Sequence, residues 1–270
     1  MPQEISLTID GVKVTVGEGA TILAAAQSAG IDVPHLCYDP DWGLPPTSSC
    51  RLCLVEIEGA RALATSCSHE AADGMVVHTN TDKLQRTRRM IIELLLSDHP
   101  HDCLTCEKSG ACALQEYAYD LGVKEPSFRC EAVPVEPVQD GPAIVYDRSK
   151  CILCGRCVEI CHNVQVTGAI DYLERGYDTR ISIPPGKTRA QSVCVECGNC
   201  IDVCPTGAMS AAGAEGAGRT WELKRTATIC PYCGCGCTLV LNTRAGHLVQ
   251  VTGEPFLGVS GGMLCVKGRF

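Results

Sequence analysis

An α+β chain of several small domains, each pinned by its own group of cysteines, is the fold this sequence predicts. Three observations carry that expectation. The 270 residues hold 21 cysteines, spread from Cys37 to Cys265, but only 3 Phe and 2 Trp to fill cores. Small domains that bury little apolar surface need staples, and metal groups are the candidate staples here. The N-terminal thirty residues alternate as a hairpin and then turn helical, and a run of four closely spaced cysteines occurs twice in the second half. Length alone suggests two domains, and the cysteine spacing argues for more, smaller ones.

In chain order, Ile5-Ser6-Leu7-Thr8-Ile9 alternates, Asp10-Gly11 turns, and Val12-Lys13-Val14-Thr15-Val16 alternates again, which is a β-hairpin pattern. Thr21 caps an Ala-rich helix to about Ala29, ended by Gly30. A hairpin, a helix and then a cysteine loop suggest the β-grasp fold of small [2Fe-2S] ferredoxins. The cysteines that follow are Cys37, Cys50, Cys53 and Cys67. Four thiolates suit a [2Fe-2S] cluster, although a zinc ribbon shares the central Cys-x2-Cys pair. Arg51 to Ile57 leads from that pair into an alternating strand.

Thr81 or Asp82 opens a helix to about Leu96, with Leu84, Thr87, Arg88, Ile91, Leu94 and Leu95 on its mostly apolar face. Beyond it lies Asp98-His99-Pro100-His101-Asp102-Cys103-x2-Cys106-x5-Cys112. Three cysteines leave one iron of a cube without a thiolate. His99 can supply an imidazole, and His101 is its rival from spacing alone. Residues 113–140 combine a short helical stretch with Glu125-Pro126, Val133-Pro134 and Glu136-Pro137, a proline-stiffened connection. Cys130 within it reads as a buried structural thiol.

The strongest signal follows. Cys151-x2-Cys154-x2-Cys157-x3-Cys161 is repeated as Cys194, Cys197, Cys200 and Cys204, with Pro205 next. Such a run wraps three irons of a cube, and where two runs occur together the fourth cysteine of each serves the other cluster. Cys151, Cys154, Cys157 and Cys204 therefore form one set, and Cys194, Cys197, Cys200 and Cys161 the other. Zinc also uses Cys-x2-Cys pairs but seldom three cysteines at i, i+3 and i+6. Ala211 to Gly218 reads as a flexible linker without the glycine spacing or Lys-Ser/Thr ending of a nucleotide loop. Last come Cys230-Pro231-Tyr232-Cys233-Gly234-Cys235-Gly236-Cys237, a hairpin over 238–242 and 248–252, and Cys265. Cys230, Cys233, Cys237 and Cys265 can hold one more [4Fe-4S] cluster, with Cys235 a competitor on spacing.

Composition excludes other classes. A net charge of −8 argues against a nucleic-acid footprint. No apolar run approaches transmembrane length. Met1-Pro2-Gln3-Glu4-Ile5 has no secretory pattern, and an odd cysteine total suits no complete disulfide framework, so a reducing cytoplasm is expected.

The array resembles the N-terminal region of the α-subunit of NAD(P)-dependent molybdenum- or tungsten-containing formate dehydrogenases. Over residues 1 to about 210 it is also similar to the large iron–sulfur subunit of respiratory NADH dehydrogenase and of NAD(P)-linked hydrogenases. The resemblance implies His99 rather than His101 as the ligand beside Cys103, Cys106 and Cys112, and puts Cys235 at a non-ligand position. It places Lys267, in Leu264-Cys265-Val266-Lys267-Gly268-Arg269-Phe270, between the last cluster and a pterin. It implies partners as well: a flavin/NAD(P)-binding subunit carrying FMN, a thioredoxin-like [2Fe-2S] subunit, and a separate catalytic subunit of formate dehydrogenase or hydrogenase type.

The expected organisation is a β-grasp [2Fe-2S] domain (1–79), a histidine-ligated [4Fe-4S] domain with its connection (80–140), a double [4Fe-4S] ferredoxin domain (141–210), a linker (211–226) and a molybdopterin-oxidoreductase-type [4Fe-4S] domain (227–270). One [2Fe-2S] and four [4Fe-4S] clusters use nineteen cysteines and His99, leaving Cys130 and Cys235. The expected role is electron transfer in a soluble oxidoreductase complex, with no catalytic residue or substrate site on this chain, because family α-subunits carry their pterin segment beyond this motif. An N-terminal fragment of a catalytic formate dehydrogenase subunit and a zinc-stabilised scaffold are the alternatives.

Overall fold

The computed structural model describes residues 4–130, 136–185, 187–214 and 216–270. Val133-Pro134 and Glu215 fall outside them. The chain forms two compact units, Met1–Tyr38 with Pro46–Ser97 and Tyr117–Arg129, and Asp39–Pro45 with Asp98–Glu116 and Cys130–Phe270. These units cut the chain differently from the cysteine groups: residues 80–97 belong with the first group, and residues 39–45 with the later ones.

In the first unit, β1 (Glu4–Ile9) and β2 (Val12–Gly17) pair antiparallel, with Leu7 opposite Val14. Asp10 and Gly11 both have positive φ, 49° and 83°, as a two-residue hairpin turn requires. Thr21 accepts a bond from Ala24 N and caps α1 (Ile22–Ser28), which buries Ile22, Leu23, Ala25 and Ala26. Burying a side chain such as Leu23 contributes about 1.5–3 kcal/mol. β3 (Leu54–Ile57), β4 (Ala64–Thr65) and β5 (Val76–His78) complete a sheet in the order β2-β1-β5-β3-β4, with β1 and β5 parallel. Its core holds Leu7, Ile9, Val33, Val55 and Val77.

α2 (Asp82–Ser97) buries Leu84, Arg88 and Ile92, one residue per turn. Of the expected face, Leu84 and Arg88 are buried and Thr87, Ile91 and Leu95 half-buried, whereas Leu94 is 54% exposed and Ile92, not expected there, is buried. Arg88 is accommodated on this face because its guanidinium donates to two carbonyls, those of Leu52 at 3.2 Å and Leu54 at 2.8 Å.

In the second unit, α3 (Ala113–Asp120) begins directly after Cys112. β6 (Ile144–Tyr146) leads to the tandem cysteine runs, each of which ends in a single turn of helix, α4 (Arg156–Glu159) or α5 (Asn199–Asp202). Between them, β7 (Asp171–Leu173) and β8 (Arg180–Ser182) pair antiparallel, and β9 (Met209–Ala211) returns beside β6. Ile144, Ile170, Ile181, Ile201 and Met209 form the core. Trp42, Leu44, Ile160 and Val203 make a second cluster.

β10 (Lys224–Ile229), β11 (Thr238–Arg244) and β12 (His247–Thr252) form the last sheet, and α6 (Val266–Arg269) follows Cys265. β10 is absent from the sequence-based expectation because all six of its residues are exposed and no apolar alternation marks it. The expected linker is also partly structured. Ala211 belongs to β9, Ala212 N bonds Ala143 O, and the Arg219 guanidinium caps the carbonyls of Leu104 and Cys106. Cys130, expected to be buried, is exposed. No helix among the described residues is long and apolar enough to cross a membrane.

Candidate metal centres

The first group is assembled by the β-grasp unit. Cys37, Cys50, Cys53 and Cys67 are all buried, at 1%, 8%, 1% and 0% exposure. Their sulfurs bond one another: Cys37 meets Cys50 and Cys67, and Cys53 meets Cys67. Protons are shared unevenly as a result. The Cys67 thiol, with local donors, pulls Cys53 down to about 6, while Cys50 and Cys67 are pushed up by their roles as donors and by burial. A metal would replace those shared protons. The backbone N–H groups of Leu36 and Leu52 point at Cys50, and Ser66 Oγ donates to Cys53 O at 2.8 Å. Arg88 holds the carbonyls on either side of Cys53.

The second group follows α2. His99 Nδ1 lies 2.8 Å from Pro100 O. A carbonyl only accepts, so Nδ1 carries the proton and Nε2 is left with a lone pair. Nε2 is buried with no hydrogen-bond partner among the described residues. Burial pushes the imidazole below its ordinary pKa, which favours the neutral form a metal needs. His101 is exposed. Burial also raises Cys103 and Cys112, and Cys106 lies beside both. The N–H groups of Leu114 and Gln115, opening α3, point at Cys112. Gly207 leaves room for this loop: a Cβ there would stand 2.9 Å from Cys106 Sγ.

The tandem runs share one backbone design. Leu153 and Glu196 have φ of 52° and 50°, and Gly155 and Gly198 have φ of 83° and 75°. This double left-handed step turns successive cysteines inward. Cys151, Cys154, Cys157 and Cys204 line one small pocket with Tyr146 and Ile181. Burial pushes the Cys157 thiol well up, and Cys154, Cys204 and Cys151 add to it. Cys197 and Cys200 instead have Cys194 and Cys161 as neighbours, and burial pushes Cys200 up to about 12. Cys204 thus stands with the first run and Cys161 with the second. Cys161 sits in a turn of π-helix (Ile160–Val164), its sulfur 3.3 Å from Ala169 N and from Thr167 Oγ1.

In the last group, Cys230 N bonds Cys237 O at 2.8 Å and closes the loop. Cys230 is buried against Leu239 and Leu264, whereas Cys233, Cys235 and Cys265 are exposed. Cys235, expected at a non-ligand position within this loop, bonds Cys233 and lies near Cys237 and Cys265. Lys267 is exposed and near Cys233.

These donors fit iron–sulfur clusters: thiols gathered in sets, backbone N–H groups aimed at sulfur, and one buried imidazole nitrogen without a partner. Among the described residues no three His, Cys, Asp or Glu side chains close on one point as the ligands of a single ion would. Sequence reasoning missed the arginines around these groups. Arg88 holds the first loop, and Arg189 is buried 2.9 Å from Asp140 and bonded to Cys194. Arg269 donates to Cys197 O at 2.8 Å. Little in the local sequence marks them, because Leu52 and Leu54, Asp140 and Cys197 are all remote from the arginines they meet.

Four domain families match along the chain. They are a 2Fe-2S iron-sulfur cluster binding domain (residues 2–82), the NADH-ubiquinone oxidoreductase-G iron-sulfur binding region (88–127), the NADH-quinone oxidoreductase subunit 3 ferredoxin-like domain (141–210) and the molybdopterin oxidoreductase Fe4S4 domain (223–270). The G 2 subunit of NADH-quinone oxidoreductase from Rhizobium meliloti (strain 1021) is 41% identical over 269 residues, covering 98% of this chain and 31% of that protein. The NADPH-Fe(3+) oxidoreductase subunit alpha of Geobacter sulfurreducens is 38% identical over 266 residues, with the same coverage. The chain therefore spans about a third of the length of these relatives. The crystal structure of an NAD+-reducing [NiFe]-hydrogenase in the H2-reduced state superposes with a TM-score of 0.73 at 30% identity, covering 79% of this chain and 90% of that one. This chain belongs to the iron–sulfur subunit family shared by NADH-quinone oxidoreductase (its G-type subunits), NADPH-Fe(3+) oxidoreductase and NAD(P)-reducing hydrogenases.

Proposed function

We propose that the chain holds one [2Fe-2S] and four [4Fe-4S] clusters and relays electrons between a flavin/NAD(P) subunit and a separate catalytic subunit of hydrogenase or formate dehydrogenase type. The observation that carries this reading is the exchange of fourth cysteines in the tandem runs, Cys204 beside Cys151 and Cys157, and Cys161 beside Cys197 and Cys200. Two zinc sites would have no need of it.

When bound, the clusters supply one-electron storage. The chain's own residues fix where they sit and at what potential. Burial of Cys37, Cys50, Cys53 and Cys67 keeps water from the first group. His99 contributes a neutral ligand in place of a thiolate charge, which raises the potential of that group relative to an all-cysteine site. N–H groups aimed at Cys50, Cys112, Cys151 and Cys197 stabilise added negative charge on sulfur. FMN, NAD(P) and the thioredoxin-like [2Fe-2S] subunit belong to the partners, and the complex works in the cytoplasm.

A second reading is the N-terminal part of a catalytic formate dehydrogenase α-subunit, with Lys267 directed toward a pterin. It is favoured by the molybdopterin oxidoreductase Fe4S4 match over residues 223–270. Purification of the native complex separates the two. The relay reading expects a flavoprotein partner, reduction of this chain's clusters by NAD(P)H, and a separate catalytic polypeptide. An intact polypeptide that continues past Phe270 and carries a pterin establishes the second.

A further inference from the structure

We propose that Arg269 is a positioning residue that locks the last cysteine group against the second group of the tandem pair and supplies the hydrogen-bonded path between Cys265 and Cys197. The inference rests on the relay reading for its electronic part; its mechanical part stands on geometry alone.

The path is short. Arg269 N donates to Cys265 O at 3.1 Å, and its Nε donates to Cys197 O at 2.8 Å. One residue thus joins the main chains of two ligands, one from each group, through two hydrogen bonds. The rest of the guanidinium is anchored beside Cys200, on α5. One terminal nitrogen bonds Asp202 Oδ1 at 2.9 Å, and the other bonds Asp202 Oδ2 at 2.6 Å and Asn199 Oδ1 at 3.1 Å.

The ion pair is deeply buried, with side-chain exposures of 3% for Arg269 and 6% for Asp202. A buried guanidinium needs such a forked, saturated partner set, which a lysine cannot reproduce. Burial pushes the Asp202 carboxyl up and the Arg269 charge draws it back. Two further bonds brace the same helix: Leu264 N to Asn199 Oδ1 and Gly253 N to Asp202 Oδ2, both 3.2 Å.

Space has been kept for this side chain. A Cβ on Gly198 would lie 2.4 Å from Arg269 Cδ, on a residue already in the left-handed region. The last domain is therefore held by a clamp built into the ligand loops, although a glycine-rich stretch precedes it in sequence. Electron tunnelling between two centres depends steeply on their separation, so a clamp that fixes Cys265 against Cys197 fixes a transfer rate.

The test uses the full chain with its clusters in place and the variants R269Q, R269K and D202N. Amide exchange across residues 253–270 reads the clamp, and it should rise at least tenfold in all three while residues 4–97 keep their protection. Unchanged exchange in R269Q overturns the clamp, whatever metal the chain holds. The rate at which an electron injected into the tandem clusters reaches the last one reads the path. D202N loosens the anchor but keeps the Nε bond to Cys197, so R269Q should slow transfer at least tenfold more than D202N does. Equal slowing in D202N and R269Q at full iron content reduces Arg269 to a structural role and overturns the path. If R269Q loses iron, R269K takes its place, since it keeps the charge but lacks the Nε donor. A wild-type chain loaded with zinc defeats the relay reading itself, and the exchange experiment still decides the clamp.

Discussion

The two halves of the tandem ferredoxin region carry the same cysteine spacing and the same pair of left-handed residues, yet they sit in different surroundings. The first half is lined by apolar and phenolic groups. Tyr146 bonds Cys151, and burial first, then the neighbouring sulfurs, pushes the Tyr146 and Tyr172 hydroxyls up. The second half is ringed by buried charge. Arg189 stays charged against burial because Cys200, Asp140 and Cys194 face it, and Arg269 pairs with Asp202. Each helix is also anchored differently, α4 by the Arg156–Asp39 ion pair and α5 by the Arg269 clamp. Spacing sets which cysteines gather. Residues far away in the chain set what the gathered group feels.

The comparison breaks first at the exchanged ligands. Cys204→Ala should abolish the cluster of Cys151, Cys154 and Cys157 and spare the nearer one at Cys194, and Cys161→Ala should do the reverse. Iron content with low-temperature EPR reads both. Loss of the sequence-nearer cluster in either variant would overturn the assignment.

Arg189→Gln comes next. It leaves Asp140, whose side chain is 21% exposed, without its partner and should cost about 1–3 kcal/mol in denaturant unfolding, the range for an unsatisfied polar group. Unchanged unfolding would show that the second half does not depend on its buried charges.

The paired glycines offer a smaller contrast. Ala at Gly155 or Gly198 meets the left-handed penalty of about 1–2 kcal/mol. Gly198→Ala adds the collision with Arg269 Cδ, so it should destabilise by more than that penalty in thermal melting. A loss no larger than the left-handed penalty would argue against close packing of Arg269.

The smallest effect is a pH dependence in the first half. Burial opposes ionisation of Asp147, but bonds from Ser149 and Lys150 outweigh it, and its pKa lies below the ordinary carboxylate value. A depressed folded pKa stabilises above the unfolded value of about 3.9 and loses that contribution as pH falls through the folded one. Wild type should therefore melt above Asp147→Asn near neutrality, and the gap should close in acid. A gap independent of pH would contradict the ion pair.

What was legible in the sequence follows the same division. Asp10-Gly11 between alternating runs, Thr21 before an alanine-rich stretch and the two cysteine runs are local signals, and each produced its element. The face of α2 follows expectation at Leu84 and Arg88, whose guanidinium reaches the carbonyls beside Cys53, and departs from it at Leu94, which is apolar yet exposed. β10 gave no signal because all its residues are exposed, so its pairing to β11 leaves no apolar alternation in the sequence. Cys130 was expected inside a core and is exposed. Spacing alone left His99 and His101 as rivals and the resemblance chose His99; in the structure His99 Nε2 is buried and His101 is exposed.

Metal analysis of anaerobically purified protein, joined to an EPR-monitored reductive titration, tests the central claim most directly. One [2Fe-2S] and four [4Fe-4S] clusters predict about eighteen irons per chain and five successive reduced-cluster signals. A colourless chain with zinc at its cysteine groups and no signal on reduction would contradict the relay.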